Sequence, residues 1–116
     1  MDIKIVKDSI TLRELSDMAR EGFGDLVKAV VDIEREIMAV GGGLHADEEV
    51  LLSEQCGSTR EHTWGINMYP GKSQEEWIEF DSMVNLKPSF GNRTRNVDNP
   101  EIKEKIEQIV KKLVQR

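Results

Sequence analysis

At 116 residues, 38% of them hydrophobic, the chain can bury one core without metal or disulfide staples and is too small for two. With 33% charged residues, no run near the roughly 20 apolar residues that span a bilayer, and no apolar signal stretch in MDIKIVKDS, a globular cytoplasmic protein is expected, with no membrane partner. The net charge of -6 is unevenly spread: residues 1 to 86 carry 8 Lys plus Arg against 18 Asp plus Glu, and residues 87 to 116 carry 8 against 4, so the acidic body disfavours nucleic acid as the main partner.

Ile3 to Val6 reads as a short edge strand. Thr11 and Glu14 have capping-box spacing, and Leu12, Leu15, Met18 and Ala19 form a helical stripe that Gly22 and Gly24 end. Residues 26 to 40 fit both a helix and a strand. Their Val and Ile content favours a strand, long enough to require a bulge near Arg35. Gly41 to Gly43 then turn the chain into a predicted strand from Leu44 to Leu52, with His45, Asp47 and Glu49 on its polar side.

The segment His62 to Tyr69 alternates with Trp64, Ile66 and Met68 inward, and Pro70 and Gly71 begin the next turn. Trp77 to Leu86 reads as another strand, with Glu79, Asp81 and Asn85 outward. The lone Cys56 lies in a turn-like EQCGST and can form no internal disulfide, which agrees with a reducing compartment. After an irregular stretch, SFGNRTRNVD, a last helix starts at Pro100 with the stripe Ile102, Ile106, Ile109, Val110 and Leu113.

The expected fold class is α+β: a two-layer, mostly antiparallel β-meander of four to five strands with two amphipathic helices packed on one face, in the order β-α-β-β-β-β-α. The opposite, acidic face is then left open. The strings VDIEREIMAVGGGLHADEEVLL, WGINMYP, IEFDSMVNLKPSFGNR and NPEIKEKI resemble a prokaryotic family of small proteins described only as a domain of unknown function. The resemblance spans nearly the whole chain and implies no activity, cofactor or catalytic residue.

Three places could carry function. Hydrophobic register puts Asn67 opposite Glu79 and Gly65 opposite Asp81, so Gly65 becomes a gap between acidic strands where Asp47, Glu49, Asp81 and His45 could converge. Carboxylates with water suit Mg or Mn, and His45 shifts the preference toward Zn. This divalent-cation reading implies a metal-dependent enzyme, such as a hydrolase. Its bland counterpart is a solvated face. Second, Asn92, Arg93 and Arg95 lie before a helix N-terminus that favours an anion, unless the arginines fold back onto the sheet's own carboxylates. Third, Leu51, Tyr69, Trp77 and Met83 form an apolar rim by which the open face could meet a protein partner or a second copy of the chain. A non-catalytic binding or assembly protein is the leading expectation.

Overall fold

The computed structural model describes residues 2–116 and has the expected α+β architecture, with five antiparallel strands in the main sheet. Strand β1 (Lys4–Val6) leads through β2 (Ile10–Thr11) into α1 (Leu12–Glu21). Thr11 caps this helix, its Oγ1 accepting from the Glu14 amide at 3.1 Å. The Glu14 carboxylate is drawn instead to the Lys4 ammonium at 2.9 Å.

Residues 26 to 40 are extended, but as two strands rather than one bulged strand: β3 (Val27–Asp32) and β4 (Ile37–Val40). Asp32 makes the reversal. Its buried Oδ1 accepts from the amides of Glu34 and Arg35 at 2.9 and 3.0 Å, the short-range bonding by which Asp substitutes for a backbone turn. Glu36 completes it at φ 56.

The predicted strand over residues 44 to 52 is instead a helix, α2 (His45–Cys56), ended by Gly57 in the left-handed conformation at φ 72. Ala46, Glu48, Glu49, Leu51, Leu52, Glu54 and Gln55 are strong helix formers, and their summed propensity prevails over the weak alternation of Leu44, Ala46, Val50 and Leu52. The buried stripe is His45, Glu48 and Leu52, with Cys56 partly covered. Two of its members are polar, which hides the helical period from a hydrophobicity reading.

Next come β5 (Thr63–Met68) and a β6 of only two residues (Ile78–Glu79), then single helical turns at Met83–Asn85 and Pro88–Phe90. Helix α3 (Pro100–Leu113) is capped by Asn99 Oδ1, which accepts from the Glu101 amide at 2.8 Å. It ends in β7 (Val114–Gln115), which runs parallel to β2.

The sheet order is β1-β4-β3-β5-β6. On one face Val27, Ala29, Val31, Met38, Val40, Trp64, Ile66 and Met68 pack under Leu15 and Ala19 of α1 and Ile106, Ile109, Val110 and Leu113 of α3. Both predicted helices thus cover the predicted apolar face. The other face is not open along its length: α2 seats Leu52 against Val30, Ile37 and Ala39, giving a third layer.

Gly65 fixes how the rest of that face is covered. A Cβ there would lie 2.5 Å from Ser82 Oγ, 2.6 Å from Ser82 Cβ and 2.9 Å from Val84 Cγ2. The gap expected beside Gly65 is therefore filled by residues 82 to 85. The Asn85 carboxamide closes it, Oδ1 accepting from Gly65 N–H at 2.8 Å and Nδ2 donating to Gly65 O at 3.0 Å and to Arg95 O at 3.0 Å. A side-chain amide so replaces the peptide of a neighbouring strand, which is why β6 stops at Glu79 and Asp81 does not stand opposite Gly65.

Gly65→Ala should lower unfolding stability by about 1–3 kcal/mol, the range for an overpacked core, in urea denaturation followed by Trp fluorescence. An unchanged midpoint would contradict the close approach of Ser82 and Val84.

Candidate functional site

On the α2 side of the sheet, cross-strand pairing sets Lys28 beside Asn67 and Asn67 beside Glu79. The Asn67 to Glu79 register is the one the hydrophobic pattern predicts. Side chains opposite one another on neighbouring strands share a face, so Lys28, Asn67 and Glu79 form one polar row. The first turn of α2 meets this row: His45 Nε2 lies 2.8 Å from Ile66 O. Asp81 and Arg95 close it, Arg95 Nε donating to Asp81 Oδ1 at 2.7 Å.

Asn67 is the informative member. Its Nδ2 donates to Glu79 Oε1 at 2.8 Å and to Asp81 O at 3.3 Å. Both partners are acceptors, so the amide cannot be flipped without setting oxygen against oxygen. Oδ1 is thereby turned away from them, and it is buried with no partner among the described residues. An unpaired buried acceptor costs roughly 1–3 kcal/mol, a cost that a donor arriving from outside would remove.

The other charges around the row are mostly neutralised or committed. Burial, with Lys28 and Arg95 nearby, holds the His45 imidazole below its usual pKa despite the bond to Ile66 O and the field of Asp81. Facing a carbonyl, the neutral ring carries its proton on Nε2 and leaves Nδ1 as an acceptor. Glu48, fully buried, accepts from the Gly42 amide at 2.9 Å through Oε2, while Oε1 has no partner. Desolvation raises its pKa to about 9, against the smaller opposing effects of Gly42 N–H and Lys28, so it is a neutral acid at pH 7. Lys28 has no ion pair among the described residues and lies 5.1 Å from the Phe23 ring centroid. Leu44 supplies no side-chain cap to α2, so the His45 and Ala46 amides at its start have no intrachain acceptor among the described residues.

The sequence-predicted residues are distributed differently. Of the four metal candidates, His45 and Asp81 border the polar row. Asp47 and Glu49, taken as one strand face, are about 200° apart around a helix. Asp47 is exposed, and Glu49 accepts from Thr63 Oγ1 at 2.7 Å and from Arg60 Nη1 at 3.3 Å. Among the described residues no three His, Cys, Asp or Glu side chains are grouped to hold a metal ion.

In the predicted anion loop, Asn92 is a buried strut, its Nδ2 donating to the carbonyls of Asn85, Thr94 and Asn96 and its Oδ1 accepting from Asp98 N–H. Arg95 folds back onto Asp81, and the amide of exposed Arg93 donates to Asp98 at 3.1 Å. Of the apolar rim, Met83 is exposed and Leu51 and Tyr69 are half-buried, but Trp77 is only 5% exposed. Its side chain joins the core cluster with Ile109, Val110 and Leu113 of α3, and its carbonyl accepts from Tyr69 N–H at 2.7 Å just before β6 begins.

Lys28 and Glu48 were not singled out by the sequence pattern. The signal for Lys28 was a lone cation inside the apolar run VKAVV; for Glu48 there was none, because it hides among the exposed acids of DEE. Lys87 was also missed. It is 2% exposed, donates to the carbonyls of Arg60 and Thr63, and lies 4.1 Å from the Trp64 ring centroid. Burial pushes its amine down to about 8, and Arg60 adds to this while Glu49 opposes it.

Folding raises the Glu48 pKa from 4.5 to about 9. Its contribution to stability is therefore complete below pH 4.5 and is lost as pH rises toward the folded value, by up to about 1.4 kcal/mol per pH unit within that window. Glu48→Gln should remove this slope and be more stable than the parent at pH 8 in chemical denaturation. Parallel stability curves for the two proteins from pH 5 to 9 would contradict a buried neutral acid.

No curated protein and no solved structure matches this chain. Residues 4–113 match the model of a family described as a protein of unknown function, DUF5674, and the chain belongs to that family.

Proposed function

We propose that this protein binds, without transforming it, a small anion that carries hydroxyl or amino donors, on the polar row at the start of α2. The observation that carries the reading is Asn67 Oδ1, oriented by Glu79 and Asp81 and left buried without a donor. A hydroxyl or amino group of the ligand would supply that donor. The negative charge would meet the Lys28 ammonium and the free amides of His45 and Ala46, since a helix start favours anions.

Binding fits the row better than chemistry does. His45 Nε2 is engaged with Ile66 O, Asp81 with Arg95, and Glu49 with Thr63 and Arg60. Proton transfer by Asp81 or Glu49 would give up these bonds, and burial disfavours the charged form that His45 would need as a base. Lys28 and Asn67 Oδ1 are uncommitted, and both are recognition groups.

O-Phosphoserine and inorganic phosphate are suitable probes, read by NMR on the His45 and Ala46 amides and the Asn67 side-chain amide. Saturable shifts of all three at roughly 10 mM or below are expected with O-phosphoserine, with phosphate alone shifting the backbone amides but not Asn67. Lys28→Ala should weaken binding about ten-fold. The absence of saturable shifts with either probe, or the same affinity in Lys28→Ala, would contradict the reading.

A further inference from the structure

On the opposite side of the sheet, residues 74 to 78 and the chain from Glu104 of α3 to Arg116 line a groove of about 390 Å³. Trp77 and Val110 are both buried members of the core cluster at its base. Glu75, Glu104 and Glu107 line it, with Lys111 and Arg116 as its cations. The Arg116 guanidinium carbon lies 4.7 Å from the Trp77 ring centroid, within the range of cation attraction to an indole face. Pairing of Gln115 with Thr11 fixes the point from which Arg116 reaches in.

We propose that this groove recognises an arginine side chain of a partner protein, and that Arg116 of the chain itself occupies the Trp77 face when the partner is absent. Arg116 uses only part of what the groove offers. It stacks on the indole, yet among the described residues neither it nor Lys111 forms an ion pair with Glu75, Glu104 or Glu107. Of the three glutamates that line the groove with Trp77, Glu75 and Glu107 have no side-chain partner among the described residues, and Glu104 accepts only from Gln108 Nε2 at 3.4 Å. Planar fork-to-carboxylate bonding is the interaction an arginine makes best, and stacking leaves its edge N–H groups free to make it. An arginine entering from solvent can place that edge against the carboxylates. Arg116, tethered by β7, reaches the ring and leaves them unpaired.

The test titrates N-acetyl-argininamide into the full chain and into Arg116→Ala, following the Trp77 indole N–H by NMR, with N-acetyl-alaninamide as control. Arg116→Ala should show a saturable shift with an affinity roughly five-fold higher than the parent's, no response to the alanine probe, and loss of the shift when Glu104→Gln and Glu107→Gln are added. Equal affinities in the parent and Arg116→Ala, or no saturable shift in Arg116→Ala, would overturn the proposal.

Discussion

Much of this structure depends on one side chain that is missing. Because Gly65 presents only hydrogen to the α2 side of the sheet, Ser82 and Val84 approach within distances no Cβ would allow, and Asn85 bonds to both the amide and the carbonyl of Gly65. The outer edge of β5 is thus satisfied by a carboxamide where a strand would otherwise continue. Asn85 also holds Arg95 O, and its own carbonyl accepts from Asn92, so the clamp orders the irregular stretch up to Asp98. Asp81 and Arg95 are delivered beside His45 as a consequence.

Electrostatics on the α2 side follow from burial. Desolvation lowers the pKa of His45 and raises that of Glu48, so the first turn of the helix docks with two neutral groups in place of two charges. Asp32 is fully buried too, but with its turn amides and the Ser58 hydroxyl as donors. In a chain of formal charge -6, the cation left unpaired at the polar row is Lys28. It stands across from the one Asn side-chain oxygen that has no donor among the described residues, and this pairing of an uncompensated charge with an unmet hydrogen bond distinguishes the row from the solvated acids elsewhere.

The sequence carried the parts of the fold written in strong local chemistry. Thr11, Asn99 and Pro100 mark helix starts, and the inward set of Trp64, Ile66 and Met68 defines β5 and its register with Glu79. It was less legible where polar residues take core positions. The stripe His45, Glu48, Leu52 does not look apolar, so the pattern over α2 imitates a strand with Asp47 and Glu49 on one face. The turn between β3 and β4 places Glu36, not glycine or asparagine, at positive φ, and the usual marker of a reversal was missing. The sequence pattern marks His45, Asp81 and Arg95 as candidates, whereas it places Asn67 opposite Glu79 without marking it as a site residue. Its importance comes from a buried oxygen without a donor, a property no linear pattern encodes.

Hydrogen exchange of the Gly65 amide tests most directly whether Asn85 stands in for a strand. The clamp predicts protection comparable to that of the central β3 and β5 amides, since its N–H is bonded at 2.8 Å beneath buried residues. Exchange as rapid as that of the exposed turn around Ser73 would mean that the edge of β5 is open, and that Asp81 and Arg95 are not held where the polar row needs them.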